Sequence, residues 1–144
     1  MTDIEFHFNA PDKLVHACRY ARKLLKNDGR LVITGPESVL EDIDAMLWNM
    51  SAHDFVAHCR GDSDPQLLDA SPIVLASDPS QSPHCDVLLN LGDTLPQDFD
   101  RYGKLVEVVS AHDEPDRVHA RARWRHYAQQ GYGLVRHDLV QKAR

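Results

Sequence analysis

The sequence predicts an α/β fold: one domain over residues 1–144, with a largely parallel sheet covered by helices on both faces. Three observations predict it. Short apolar runs alternate along the chain with stretches of helical periodicity. The runs are continuous, as in Leu31-Val32-Ile33, Ile73-Val74-Leu75 and Val87-Leu88-Leu89, which suits strands buried on both faces. A chain of 144 residues is one domain by length, and it can bury roughly two-thirds of its unfolded surface.

In chain order, Ile4-Glu5-Phe6-His7-Phe8 alternates and reads as a strand with one buried face. Asn9-Ala10-Pro11-Asp12 is turn chemistry followed by a helix start. Leu14, Ala17, Cys18, Ala21, Leu24 and Leu25 recur at helical spacing, and Cys18 is expected to be a small core residue. Asn27-Asp28-Gly29 ends that helix, with Gly29 expected to take the left-handed conformation. Leu31-Val32-Ile33 is a strand, Gly35-Pro36 a turn, and Val39, Leu40, Ile43, Met46 and Leu47 one side of a second helix that ends at Trp48.

Residues 51–71 are the least regular, with a short strand at Phe55-Val56-Ala57-His58. Between the strands at 73–75 and 87–89, residues 77–83 form a polar connection expected to be mobile. A helical turn is predicted in 96–102 and a strand over Leu105-Val106-Glu107-Val108-Val109. Asp113-Glu114-Pro115 starts the last long helix, because proline fits a first turn, and Gly131 and Gly133 stop it.

The chain carries a formal charge of −6, which disfavours broad binding to a nucleic-acid backbone. No run approaches about 18 apolar residues, so no membrane span is expected. The acidic start, Met1-Thr2-Asp3-Ile4-Glu5, is no secretory signal. Cys18, Cys59 and Cys85 have no disulfide-framework spacing and read as reduced thiols of a cytoplasmic protein.

The charge is unevenly spread. Residues 117–137 hold five arginines (Arg117, Arg121, Arg123, Arg125, Arg136) and no acidic residue; without those five charges the remainder would be −11. Arg117, Arg121, Trp124, Arg125 and Ala128 fall on one narrow helix face. Arginine forks beside an indole suit a carboxylate next to an apolar side chain, although charged helix faces are commonly just solvated. Arg123 points away from this stripe and serves as an internal control for it.

Other chemistries are poorly supported. The loop Thr34-Gly35-Pro36-Glu37-Ser38 has one glycine, a proline where an amide is wanted and an acid where phosphate would sit, so it reads as a plain strand-to-helix turn. His53, His58, Cys59, His84 and Cys85 fit no zinc spacing, so no metal and no cofactor are expected. No nucleophile motif is present, and no catalytic residue is singled out. Trp48 and Phe55 read either as core or as an exposed aromatic patch for a partner.

Asp44-Ala45-Met46-Leu47-Trp48 with Phe55-Val56-Ala57-His58, then Asp86-Val87-Leu88-Leu89-Asn90-Leu91, then Val108-Val109 leading to Ala120-Arg121-Ala122-Arg123-Trp124-Arg125-His126-Tyr127 and Gly131-Tyr132, together resemble the chi subunit of bacterial DNA polymerase III. The likeness spans nearly the whole chain. It implies a non-catalytic adaptor of the clamp loader with an α/β fold. It implies one surface for the psi subunit, falling on Trp48 and Phe55, which an accessory helicase could share. It implies a second surface for the acidic C-terminal tail of single-stranded-DNA-binding protein, falling on Arg117, Arg121, Trp124 and Arg125. Two other readings stay open: a small α/β enzyme that clamps an anionic substrate with Arg117, Arg121 and Arg125 in a deep pocket beside a titrating group, and a direct nucleic-acid binder with Trp124 stacked on bases.

Overall fold

A computed structural model describes residues 2–27, 29–49, 58–61, 63, 66, 71–82 and 84–139. Seven strands form one sheet: β1 (Asp3–Ala10), β2 (Leu31–Thr34), β3 (His58–Arg60), β4 (Ile73–Leu75), β5 (Val87–Asn90), β6 (Lys104–Ser110) and β7 (Leu134–Asp138). Their order is β3-β4-β2-β5-β6-β1-β7, and every pairing is parallel. The described helices are α1 (Lys13–Lys26), α2 (Glu37–Trp48) and α3 (Glu114–Gln129). The α/β expectation is met, and the sheet is parallel throughout.

The continuous apolar runs behave as parallel strands should. All four residues of β2 and all three of β4 are buried. One core layer joins Ala17, Cys18 and Ala21 of α1 and Leu40, Ile43 and Leu47 of α2 to Leu31, Ile33, Leu75, Leu89 and Val106 of the sheet. The opposite layer packs Ala120 and Tyr127 of α3 against Ile4, Phe6, Leu105 and Val109. So α1 and α2 cover one face and α3 the other. Each large aliphatic side chain buried this way contributes about 1.5–3 kcal/mol.

Helix ends follow local chemistry. The Asp12 carboxylate accepts from the backbone N–H of Leu14 and of Val15 at 3.0 and 3.2 Å, and caps α1. Asp113 caps α3 through Asp116 N–H, with Pro115 in the first turn. Gly131 has φ +85° and ends α3, as expected.

Four expectations need correction. Gly29 is not left-handed: its N–H bonds to Leu24 O at 2.8 Å, and a Cβ there would meet Leu24 Cγ at 2.6 Å, so the glycine serves close approach. Strand β1 is covered on both faces. Ile4 and Phe6 face α3, while His7 is buried on the α1 side, where Glu5, His16 and Tyr20 satisfy or pack against it. Alternation of apolar and polar residues therefore misread a polar buried face as solvent. Of the 77–83 connection, the described residues 77–82 are pinned: the 3₁₀ turn Pro79–Gln81 accepts from Arg101 at Pro79 O and Ser80 O, and Tyr102 Oη donates to Pro79 O at 2.7 Å. Strand β7 was not anticipated, because its Val135, Arg136 and His137 carry little apolar signal. It lies at the sheet edge, paired with β1.

Candidate functional site

Arg117, Arg121, Trp124 and Arg125 are brought together, as their spacing predicts. They line a groove of about 420 Å³ between α3 and the carboxyl ends of β1 and β6. Ala128, the fifth residue of the predicted stripe, is exposed and lies outside the lining. The floor is apolar: Phe6, Phe8, Val109 and Ala120. Trp124 stands edge-on to Phe6 with ring centroids 5.0 Å apart, which fixes the indole as one wall.

Strand β7 adds Arg136, which the sequence reading counted in the basic stretch but not in the site. Its guanidinium carbon sits 4.9 Å from the Phe8 ring centroid and 5.9 Å from that of Trp124. A cation over two aromatic rings is held in place by the ring quadrupoles. The signal for it was the alternation Leu134, Arg136, Asp138 on the α3 side of a strand, legible only once β7 is known to pair with β1.

Backbone shape opens the groove. Asn9 has φ +62°, a left-handed conformation that asparagine tolerates better than most residues. The register between β1 and β6 shifts between His7 and Ala10 at the same place. The Asn9 side chain donates to Asp138 Oδ1 at 3.0 Å and ties this bend to β7.

The arginines are positioned but not consumed. Arg117 Nη1 donates to Ala111 O at 3.0 Å. Its Nε lies 3.8 Å from Glu114 Oε2, and Arg121 Nη1 lies 3.5 Å from Glu114 Oε1. Glu114 and Arg121 are both well exposed, so these pairs are worth at most about 1 kcal/mol and are easily exchanged for another carboxylate. Among the described residues, the lining includes no carboxylate, histidine or cysteine. The carboxylate beside Arg121 is Glu114, which is exposed rather than enclosed in the deep pocket that the enzyme reading requires.

Arg123 does point away from the groove, but not into solvent. It is 3 % exposed, with Nε 3.1 Å from Oε2 of the fully buried Glu107. Its guanidinium nitrogens have no aligned hydrogen-bond acceptor among the described residues, so the contact is an ion pair rather than a fork. Glu107 is better served: Asn90 Nδ2 donates at 2.9 Å and Tyr127 Oη at 2.6 Å. Burial pushes the Glu107 carboxyl upward against the pull of Arg123, Tyr127 and Asn90. Arg123 is thus a structural residue and cannot serve as a neutral control for the groove.

Trp48 lies elsewhere. It ends α2, is 60 % exposed, and stacks at a tilt on His58 with centroids 5.1 Å apart. Trp48 is therefore a surface residue and not part of the core. Phe55 lies outside the described residues. His58 is in β3, at the opposite end of the sheet from β1 and β7, so Trp48 and the groove are separated by roughly 25 Å of strand spacing.

Among the sulfur and imidazole groups weighed earlier, Cys18 and Cys59 are buried and Cys85 is exposed. Burial raises the Cys18 thiol to about 11, with Asp12 adding to the effect, so it is inert core. His84 Nε2 donates to Ser71 O, 2.6 Å away, in the turn below β4 and β5. His53 lies outside the described residues. No described helix is long and apolar enough to cross a membrane.

The family model described as DNA polymerase III chi subunit, HolC, matches residues 1–135. The DNA polymerase III subunit chi of Pseudomonas aeruginosa is 27% identical over 145 residues, covering 96% of this chain and 98% of that protein. The protein belongs to the DNA polymerase III chi subunit family, non-catalytic accessory subunits of the replicative polymerase.

Proposed function

We propose that this chi subunit is an adaptor whose groove takes the acidic C-terminal tail of single-stranded-DNA-binding protein, while the Trp48 edge faces the clamp loader through psi or a partner sharing that surface. One observation carries the reading: Arg117, Arg121, Arg125 and Arg136 converge on a groove floored by Phe6 and Phe8 and walled by Trp124. A terminal carboxylate can exchange onto the arginines as an apolar side chain enters beside the indole. Several carboxylates approaching a basic patch on an otherwise acidic protein gain association rate. A disordered tail loses chain entropy on docking, which favours moderate affinity.

The test is a titration with a synthetic acidic peptide that ends in an apolar residue and a free carboxylate. Trp48→Phe leaves Trp124 as the single tryptophan, and its fluorescence is expected to respond saturably. Single-stranded DNA should not displace the peptide at moderate salt. Binding without any response from Trp124 would place the peptide elsewhere, and displacement by DNA would favour the nucleic-acid reading.

Trp48 supports the second surface. Trp48→Ala should leave the fold and peptide titration unchanged, because a side chain 60 % exposed contributes little to the core. It should weaken co-purification with the psi subunit by about tenfold or more, as exposed tryptophans at interfaces do. Unchanged psi binding would remove Trp48 from that surface.

A further inference from the structure

On the α1 side of the sheet, away from the groove, β1 and β7 assemble donors that are far apart in sequence. His7 lies directly opposite His137 in the parallel register, and Glu5 is two residues earlier on the same face of β1. Glu5 Oε1 is 3.1 Å from His7 Nε2 and 3.2 Å from His137 Nε2, and the three ligand atoms all lie within 4.8 Å of one another. A tetrahedral ion with bonds of about 2.0–2.1 Å separates its ligand atoms by roughly 3.3–3.4 Å.

The surroundings are those of a metal site. His7 Nδ1 is 2.9 Å from His16 Nε2, so the imidazole is oriented through its second nitrogen. Lys104 Nζ holds the other oxygen of Glu5 at 2.8 Å, leaving Oε1 directed at the two histidines. Burial pushes the Glu5 carboxyl up, but hydrogen bonds from Lys104 and His7 more than offset this and keep it below the usual carboxylate range. His7 is buried, while His137 is about one-third exposed and provides a route for an ion to enter.

We propose that Glu5, His7 and His137 bind one zinc-class divalent ion, with water as the fourth ligand. Two imidazoles and one carboxylate oxygen are a donor set that zinc accepts. Such an ion would tie the edge strand β7 to β1, and residue 136, next to His137, faces the groove from the other side of the sheet.

The experiment uses the untagged full chain, stripped with a chelator and titrated with zinc chloride by calorimetry. One equivalent should bind saturably, and at about a hundredfold excess over Kd the Tm should rise by about 5–10 °C. His137→Gln and Glu5→Gln should each abolish the saturable step. His16→Ala, which removes an orienting partner, should weaken it about 10–100-fold. Cys85→Ser should leave it unchanged. Cobalt substitution of the wild-type chain asks the same question without a variant: a spectrum of nitrogen and oxygen ligands supports the site. No saturable uptake by the wild type, uptake unaltered by His137→Gln, or a thiolate-to-cobalt charge-transfer band would overturn the proposal, leaving Glu5 as the acceptor of a histidine hydrogen-bond network.

Discussion

Glu107→Ala is expected to lower the unfolding free energy by about 3–5 kcal/mol, the largest effect of any single change considered for this protein. The substitution strands Arg123, which is 3 % exposed and has no aligned hydrogen-bond acceptor among the described residues. A guanidinium does not deprotonate to escape burial. It also orphans Tyr127 Oη, which donates to Glu107, and leaves Asn90 Nδ2 only its bond to Thr94 O. With domain stabilities of about 5–15 kcal/mol, the loss should appear as a fall in Tm of about 10 °C or more.

Arg123→Met should be milder, because the carboxyl left behind can take up a proton. That difference has a pH signature. Burial already pushes Glu107 above its ordinary value of 4.5, and Arg123 is the largest of the groups pulling it down. Without Arg123 the folded-state value rises further. A carboxyl whose folded value exceeds its unfolded value holds its proton in the native state. Its contribution is full below the unfolded value and is lost as pH rises toward the folded one. Wild-type Glu107 shares this loss up to its own folded value, so the variant should lose stability relative to wild type only above that value, by at most about 1.4 kcal/mol per pH unit. Urea unfolding at several pH values measures both variants. A Glu107→Ala cost below about 1 kcal/mol, or a pH-independent Arg123→Met, would mean that the pair is not held as described.

Arg121→Ala should weaken binding of the acidic tail peptide by about tenfold to a hundredfold while leaving stability unchanged. A charge-assisted hydrogen bond contributes roughly 1.5–3 kcal/mol, and every 1.4 kcal/mol is about a factor of ten. Arg121 is well exposed and its ion pair among the described residues is with an exposed glutamate, so removing it strands no buried group there. Arg121→Lys should restore only part of the affinity, since it keeps the charge but loses the planar fork. Added salt should weaken the wild-type complex, because exposed charges are screened beyond about 8–10 Å. Amidating the terminal carboxylate of the peptide should cost affinity in the wild type, and much less in the variant of whichever arginine holds it. Arg117→Ala, Arg125→Ala and Arg136→Ala belong in the same titration. Arg19, exposed on α1 and on the other face of the sheet, replaces Arg123 as the control. If Arg19→Ala matched Arg121→Ala, the effect would be general electrostatics and the groove would have no special part in it.

Local chemistry was enough for much of this molecule. Continuous apolar runs marked β2, β4 and β5, because a strand covered on both faces needs no polar positions. Helical spacing marked α1, α2 and α3, and Asp12, Asp113 and Gly131 ended them through bonds a few residues long. The stripe Arg117, Arg121, Trp124 and Arg125 was legible because all four sit on one helix, where spacing dictates direction.

Pairing decided the rest. Strand order follows from which apolar faces meet in space, so β1 lies between β6 and β7 although their sequences are about a hundred residues away. That placement adds Phe6, Phe8 and Arg136 to the groove and sets His137 opposite His7. It also reverses the meaning of two polar residues. Glu107 and Arg123 look like solvated charges on a strand and a helix, yet each is the other's partner inside the core. A charge is stable there only when its counter-charge arrives from a distant element, and residue spacing along the chain carries no record of that meeting.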